Sequence, residues 1–300
     1  MSKRNLLICF DAFGTLFTPR KPVAQQYMEV GKSFGLAGFT EDDIAKSFKS
    51  AFKQESKQNS NYGKATGLGA EKWWSNIIHN TFKPYYGPSE QPPANLIPAL
   101  IHRFHSEEGY ALYPDVLPLL NKLRPDDRTT YGGNVIIGVI TNSDNRTADI
   151  LTSLGLHVHP LHYGQPYKRG GMRPRYDIDF TVLSYDVGHE KPDQRIFAAA
   201  EEVLGTLMHS TDADTKTPAE FHPERWRKVY VGDEYAKDVI GATNAGWNAV
   251  LIDRESGERQ PDVEYLDNKQ PASLWDVFEK TKAVGFSSLE NLSKWIPSRS

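Results

Sequence analysis

The 300-residue chain has a single cysteine, Cys9, and it lacks both long apolar runs and a strong excess of either charge. One cysteine cannot form an intramolecular disulfide, which favours a reducing compartment. The apolar run near the N-terminus is too short for a signal peptide, and the later runs are far below the length that spans a bilayer. The sequence therefore predicts a cytosolic or nucleocytoplasmic protein.

The charge is nearly balanced, with 35 Lys and Arg against 38 Asp and Glu. This balance gives no reason to expect a nucleic-acid or membrane partner, so a charged ligand would have to be recognised locally. The apolar content of 39% is sufficient for a sizeable core. Cys9 lies inside an apolar run without an adjoining cation, which favours a buried structural thiol over a nucleophile.

Five short β-branched runs, each ending in small or polar residues, predict strands at 6–11, 135–142, 180–186, 229–233 and 248–253. Helical segments are predicted between them at 115–123, 144–153, 193–204 and 236–245. Near-continuous apolar strands that alternate with helices are typical of a parallel sheet covered by helices. We therefore predict an α/β fold with a doubly wound, mainly parallel, five-stranded Rossmann-like sheet.

The long segment 18–110 separates the first two predicted strands and contains helical patterns at 22–34, 41–56, 71–82 and 95–105. Thr40 is a suitable N-cap for the second of these helices. This segment is interpreted as an α-helical cap inserted into a discontinuous core of residues 1–17 and 111–300. The core ends in a C-terminal tail, 260–300, whose stretch 273–295 has two amphipathic pieces.

Two features of the predicted cap could serve either packing or substrate binding. Trp73 and Trp74 are adjacent, and packing inside the cap is favoured over stacking on a substrate. The segment 59–69, NSNYGKATGLG, is predicted to be a flexible loop that could approach the active site.

Two further insertions decorate the core. The stretch 157–176 contains His157, His159 and His162 beside the basic sequence KRGGMRPR. A histidine metal site is conceivable, but no carboxylate or cysteine completes a known ligand spacing, so a surface loop is favoured. The stretch 205–227 is polar and is predicted to be a surface excursion as well.

Polar side chains follow each predicted strand, where ligands bind in open parallel sheets. They are Asp11, Thr15, Thr141, Asn142, Asp186, Asp233, Glu234 and Asp238, and Lys191 opens the helix after the third strand. Asp11 and Asp233 would repel each other unless a cation or proton lay between them. Mg²⁺ with retained waters suits a site of few carboxylates. Thr141, Lys191 and the backbone N–H groups after Asp11 could then bind an anionic group, most simply a phosphate.

Four segments, DAFGTL, ITN, EKPD and VGDEYAKD, occur in an order that resembles the four motifs of the haloacid dehalogenase-like (HAD) hydrolase superfamily. The resemblance covers about residues 5–255 and is strongest to the eukaryotic haloacid dehalogenase-like hydrolase domain-containing proteins. It implies that Asp11 is the nucleophile, that Thr141 binds phosphate, and that Lys191 stabilises the intermediate. It also implies that Asp233 binds Mg²⁺.

The same resemblance extends to the neighbours of these residues. It implies that the backbone carbonyl of Phe13 is a metal ligand and that Glu234 and Asp238 are supporting acids of the fourth motif. Thr15 and Asn142 are assigned with Thr141 to substrate or phosphate binding. The expected partner is a phosphorylated small molecule.

One position departs from the family's phosphatases, which carry a second aspartate two residues after the nucleophile. Here that residue is Phe13, which cannot exchange a proton, and losing a positioned general acid costs about 10²–10⁴-fold in rate. Three hypotheses remain open. The chain could be a Mg²⁺-dependent phosphohydrolase or phosphotransferase for substrates with good leaving groups, a metal-independent dehalogenase, or a weakly active regulatory protein that binds phosphate and Mg²⁺.

The dehalogenase hypothesis rests on the similar DAYGTL motif of the family's haloacid dehalogenases. Halide leaves without a proton, so that reaction does not need a proton donor at the position of Phe13. However, the acidic fourth motif is intact here, and its carboxylates would repel a haloacid. An arginine from the cap would have to hold the substrate carboxylate, and Arg20 is the only arginine of that segment before Arg103.

Overall fold

The computed structural model describes residues 5–87, 91–124, 135–166, 176–209, 225–255, 257–271 and 273–296. The chain divides into two compact units. The first comprises Met1–Phe17, Leu112–Asn142 and Leu156–Ser300, and the second comprises Thr18–Ala111 and Ser143–Gly155. The role of 18–110 as a cap stays a prediction. Among the described residues, no helix combines the length and apolar character needed to cross a bilayer.

The described residues form nine strands. They are β1 (Asn5–Phe10), β2 (Phe17–Pro19), β3 (Tyr110–Leu112), β4 (Val135–Thr141), β5 (Phe180–Leu183), β6 (Trp226–Gly232), β7 (Asn248–Ile252), β8 (Glu264–Tyr265) and β9 (Ala283–Phe286). Seven of them form one sheet in the order β5-β4-β1-β6-β7-β9-β8, and every pair in it is parallel. The other two, β2 and β3, pair separately, where the chain passes between the units.

The α-helices of the described residues are α1 (Val23–Ser33), α2 (Glu41–Gln58), α3 (Ser60–Gly63), α4 (Ala70–Phe82), α5 (Leu96–Arg103), α6 (Val116–Leu123), α7 (Arg146–Ser153), α8 (Ser184–Val187), α9 (Gln194–His209), α10 (Ile240–Asn244), α11 (Leu274–Phe278) and α12 (Leu289–Trp295). A π-helical turn, Tyr235–Val239, precedes α10. The predicted third strand is shorter than expected, because β5 ends at Leu183 and the next residues coil into α8.

The central strands are apolar because both faces of the sheet are covered. Leu7, Cys9 and Phe10 of β1 are fully buried, and burial raises the pKa of the Cys9 thiol well above its ordinary value. A Cβ at Gly138 of β4 would lie 2.5 Å from the Phe180 ring and 2.8 Å from the Cys9 sulfur, so only glycine fits there. These contacts agree with the interpretation of Cys9 as a structural thiol.

The prediction of a five-stranded sheet was wrong, since the sheet has seven strands. The two additional strands lie in the C-terminal tail. There β9 pairs with β7 from Ala249↔Ala283 to Ile252↔Phe286, and β8 pairs with β9 over two residues. A run of four small and apolar residues between two helical segments carries too little periodicity to be separated from a helix pattern.

The second unit is helical, with an aromatic core. Thr40 caps α2 as predicted: its hydroxyl accepts from the Asp43 N–H, and the Asp43 carboxylate accepts from the Thr40 N–H at 2.9 Å. Trp73 is buried against Ala51 and Ile77, which agrees with the packing interpretation.

Trp74 and the adjoining loop complete the second unit. The indole of Trp74 donates to Asp144 at 3.0 Å, and the guanidinium of Arg146 lies 4.3 Å from the Trp74 ring centre. In the predicted loop 59–69, Asn61 and Tyr62 adopt positive φ angles of 46° and 57°. The indole of Trp73 donates to the Asn59 carbonyl at 2.8 Å, which fastens this loop to α4.

The histidines of the 157–176 insertion contact separate partners. His157 lies 3.2 Å from Asp177, and His162 lies 3.1 Å from Asp186. Within the part of the chain that the structure describes, the metal-competent cluster contains no histidine. The basic sequence KRGGMRPR and residues 210–224 of the next insertion lie outside the described residues.

Candidate active site

Three neighbouring strands bring the predicted motif residues to one edge of the sheet. β1 lies between β4 and β6, and all three run parallel. Asp11 follows β1, Thr141 ends β4, and Asp233 follows β6. Because the carboxyl ends of parallel strands share one edge, residues that are far apart in sequence become neighbours.

Asp11 is held firmly at this edge. Its side chain is largely buried, and its backbone N–H donates to the Val231 carbonyl at 2.8 Å. The oxygen Oδ1 accepts from the Ala12 N–H at 2.8 Å and lies 3.0 Å from Nζ of Lys191. Both of these contacts use Oδ1, which leaves Oδ2 as the oxygen that can react with a ligand.

Lys191 is a buried cation with three oxygen partners. Its Nζ lies 3.0 Å from Asp11, 2.7 Å from Asp238 and 2.7 Å from the hydroxyl of Tyr230. Burial alone would lower the pKa of Lys191, but the Asp11 and Asp238 carboxylates outweigh it and raise the pKa above its ordinary value. Lys191 therefore stays charged beside Asp11.

The Asn142 side chain fixes the backbone of Lys191. Its Oδ1 accepts from the Lys191 N–H at 2.7 Å, and its Nδ2 donates to the Lys191 carbonyl at 3.1 Å. This paired contact joins the end of β4 to the loop before α9. The phosphate-binding role assigned to Asn142 and to the buried Thr141 stays a prediction.

Asp233 is the second acid of the site, and it is hydrogen-bonded to a residue of the first motif. The hydroxyl of Thr15 donates to Asp233 Oδ1 at 2.8 Å. Burial, and then the neighbouring Asp11 carboxylate, raises the pKa of Asp233 to about 7. Gly14 has a φ of +84°, and a Cβ there would lie 2.2 Å from Asp233 Oδ2, so the close approach requires glycine.

Asp238 lies on the π-helical turn and pairs with Lys191. Its Oδ1 accepts from Nζ of Lys191, and its Oδ2 accepts from the Glu234 N–H at 2.9 Å. Burial raises the pKa of Asp238 to about 6, although Lys191 acts in the opposite direction. The Glu234 side chain is exposed and pairs with Lys237 at 2.9 Å, so it does not join the cluster.

Asp11, Asp233 and Asp238 each offer a carboxylate oxygen within 4.8 Å of the others. Burial, and then repulsion from the neighbouring carboxylates, raises the pKa values of Asp233 and Asp238. Hard cations such as Mg²⁺ bind oxygen ligands of this kind. The donor set therefore fits a divalent cation. Asp186, the other acid after a predicted strand, pairs with His162 instead.

Tyr230 is a site residue that the sequence reading missed. It is fully buried in β6, accepts from Lys191 and donates to the Ile140 carbonyl at 2.6 Å. Burial, followed by Asp11, raises the pKa of Tyr230 well above its ordinary value, so the hydroxyl stays neutral. The one available signal was a hydroxyl-bearing residue within the apolar run VYVGD.

Phe13 lies in the loop that follows Asp11. Its side chain is 51% exposed, and its ring packs edge to face on Phe17 with centroids 6.0 Å apart. A hydrocarbon ring therefore occupies the position where the resemblance implies a proton donor in phosphatases.

A family model described as haloacid dehalogenase-like hydrolase matches residues 6–246. The chain belongs to this family. Haloacid dehalogenase-like hydrolase domain-containing protein 3 of Danio rerio is 26% identical over 252 residues, which cover 84% of this chain and 86% of the fish protein. The predicted family is thus confirmed.

Solved structures share the family's fold across different chemistries. A HAD phosphatase from Thermococcus onnurineus aligns with a TM-score of 0.52 and 19% identity, covering 98% of this chain and 99% of that one. A 2-haloacid dehalogenase from Pseudomonas syringae aligns with a TM-score of 0.52 and 14% identity, covering 97% of each chain. The fold is therefore common to a phosphatase and a dehalogenase, and only the site residues can distinguish the two reactions.

Proposed function

We propose that the protein is a Mg²⁺-dependent phosphohydrolase or phosphotransferase that acts on a phosphorylated small molecule with a good leaving group. The observation that carries this proposal is the charge balance of the site. Asp11, Asp233 and Asp238 lie within 4.8 Å of one another, and Lys191 pairs with Asp11 and Asp238. Buried negative charge is costly unless a cation offsets it. A metal-independent dehalogenase would have no use for the additional acids.

Asp11, Asp233 and the backbone carbonyl of Phe13 are the groups that would hold the cation. Among the described residues, contacts to both aspartates use Oδ1, so each Oδ2 remains for a ligand. Both oxygens of Asp238 are already engaged, which suits it to hold Lys191 rather than a metal. When bound, Mg²⁺ supplies charge that polarises and neutralises phosphoryl oxygens.

The nucleophile in this proposal is Oδ2 of Asp11. It forms a bond to phosphorus while the bond from phosphorus to the leaving group breaks, and the leaving group keeps the electron pair. Lys191 stays beside the aspartyl phosphate and offsets its charge, and the Thr141 hydroxyl donates to a phosphoryl oxygen. Water then attacks the aspartyl phosphate, releasing phosphate and restoring the Asp11 carboxylate. In a transferase an acceptor hydroxyl takes the place of water.

Phe13 determines the class of substrate in this proposal. It cannot protonate a departing alkoxide, so ordinary phosphate monoesters are expected to react slowly. An acyl phosphate or phosphoric anhydride leaves as a stable anion and needs no proton. Phe13 also cannot activate the water of the second step, so the aspartyl phosphate is expected to accumulate on Asp11.

A dehalogenase-type hydrolase is the second candidate, and the aromatic ring of Phe13 is the observation that favours it. The arginine it would require is the weak point, since Nε of Arg20 donates to the Glu107 carbonyl at 2.5 Å within the second unit. A regulatory protein that binds phosphate and Mg²⁺ without turnover is the third candidate.

One substrate panel separates the three candidates. We expect hydrolysis of acetyl phosphate and nitrophenyl phosphate in MgCl₂ and its loss in EDTA. Chloride release from halogenated acids in EDTA would instead establish the dehalogenase. Mg²⁺-dependent phosphate binding without turnover of any compound in the panel would establish the regulatory protein.

A further inference from the structure

We propose that Arg254 is a positioning residue for the Asp11 and Asp233 site and that it couples the C-terminal segment, β9 with α12, to that site. Arg254 follows β7, outside all four family motifs. The proposal rests on a continuous set of hydrogen bonds within the first unit.

The Arg254 guanidinium contacts three residues at once. Its Nη1 and Nη2 donate to the two oxygens of Asp115 at 2.9 and 3.0 Å, and Nη2 also donates to the Thr15 carbonyl at 3.1 Å. Its central carbon lies 3.7 Å from the Tyr113 ring centre. Bidentate pairing and stacking together fix both the position and the plane of a guanidinium.

Thr15 connects Arg254 to Asp233, one of the acids that could hold a metal. Its carbonyl accepts from Arg254, and its hydroxyl donates to Asp233 at 2.8 Å. Thr15 is fully buried, four residues after Asp11. A shift of the Thr15 backbone would therefore move a contact of Asp233 and disturb the loop that carries the predicted nucleophile.

Asp115 extends the network to the C-terminal segment. Its Oδ2 accepts from the Leu289 N–H at 2.9 Å, at the first turn of α12. The strand β9 precedes α12 and pairs with β7, which ends two residues before Arg254. Arg254 is thus linked to the C-terminal segment in two ways, through the pairing of β7 with β9 and through the contact of Asp115 with α12.

Lysine cannot reproduce this arrangement, because an ammonium group lacks the planar fork that reaches Asp115 and Thr15 together. Loss of a group that orients metal ligands typically weakens metal affinity by about 10–100-fold. We expect Arg254→Gln to weaken Mg²⁺ binding within this range and Arg254→Lys to have a smaller effect. The part concerning Mg²⁺ rests on the proposed function, whereas the positioning of the loop does not.

The test compares the full-length wild type with Arg254→Gln, Arg254→Lys and the control Arg227→Gln. Arg227 also stacks on an aromatic ring of the first unit, 4.4 Å from the Trp275 centre, whereas the hydrogen bonds of the Arg254 guanidinium go to Asp115 and Thr15. Amide hydrogen exchange is measured by mass spectrometry for residues 11–17, whose backbone N–H groups include bonded donors at Asp11, Gly14 and Leu16. MgCl₂ binding is measured by titration calorimetry on the same samples.

Faster exchange of 11–17 in Arg254→Gln, weaker acceleration in Arg254→Lys and no change in Arg227→Gln would support the positioning role. Unchanged exchange in Arg254→Gln, or equal acceleration in Arg227→Gln, would overturn it. If Arg254→Gln does not fold, the lysine variant decides by the same criterion. Absent Mg²⁺ binding in the wild type, together with the exchange effect, would remove the proposed metal site and leave the positioning role intact.

Discussion

Nζ of Lys191 lies 2.7 Å from the hydroxyl oxygen of Tyr230, which in turn donates its proton to the Ile140 carbonyl. The neutral phenol thus links the predicted catalytic lysine of one loop to the backbone of β4. Tyr230 holds the ammonium between Asp11 and Asp238 without adding charge to the site.

Tyr230→Phe tests this link. The substitution keeps the ring but removes one acceptor from Lys191 and one donor from Ile140, each costing about 1–3 kcal/mol when buried. We expect about a tenfold lower kcat with little change in KM, because Lys191 acts after the substrate is bound. The control is Tyr235→Phe, which removes a surface hydroxyl 3.4 Å from Asp262. Equal kinetics for the two variants would contradict the assigned role.

Two lysines that pair with acids of the fourth motif allow a buried ion pair to be compared with an exposed one. Lys191→Met leaves Asp11 and Asp238 without their buried cation and should lower the free energy of unfolding by about 3–5 kcal/mol. Lys237→Met removes an exposed partner of Glu234 and should cost about 0–1 kcal/mol. Urea denaturation in EDTA measures both values. A small loss for Lys191→Met would mean that the buried acids do not depend on its charge.

The raised pKa values predict an unusual pH dependence for the metal-free protein. Unfolded aspartate titrates at about 3.9, whereas burial and Asp11 raise the pKa of folded Asp233 to about 7. The folded protein therefore binds more protons between these values, and the stability from this group is lost as pH rises through about 7. Asp238, raised to about 6 by burial, acts in the same direction.

Urea denaturation in EDTA between about pH 4 and 7 checks this expectation. The free energy of unfolding should fall with rising pH, with Asp233 contributing on the order of 1 kcal/mol per unit. Asp233→Asn should flatten the profile. A wild-type profile that matches that of Asp233→Asn would show that Asp233 titrates normally.

The placement of the motif residues at one edge of the sheet could be predicted because each lies at the end of a strongly apolar strand, whereas their roles stay predictions. Asp11, Thr141 and Asp233 needed only a parallel sheet to converge at one edge. Contacts that depend on tertiary geometry could not be predicted in this way. Tyr230 looked like an ordinary strand residue, and nothing in the sequence indicated that the Asn142 amide pairs with the Lys191 backbone. The short strand β9 was missed for a different reason, because a run of four residues between two helical patterns carries too little periodicity.

Phe13→Asp tests whether the pocket is a phosphatase pocket that lacks its acid. The new carboxyl could protonate an alkoxide and then activate water, so we expect hydrolysis of plain phosphate monoesters to rise by about 10²–10⁴-fold. The aspartyl phosphate that accumulates in the wild type should disappear. Phe13→Asn, which has similar size but no titratable proton, is the matched control. An equal gain in both variants would indicate a steric effect.

Trapping of the phosphorylated enzyme tests most directly whether Asp11 is a nucleophile that acts with Mg²⁺. Wild-type protein is mixed with acetyl phosphate and MgCl₂, quenched in acid and digested for mass spectrometry, beside Asp11→Asn and an EDTA control. We expect a phosphoryl group on the peptide that contains Asp11, and we expect it to be absent from the variant and from the EDTA sample. Phosphate release that persists in Asp11→Asn, or proceeds equally in EDTA, would contradict this expectation.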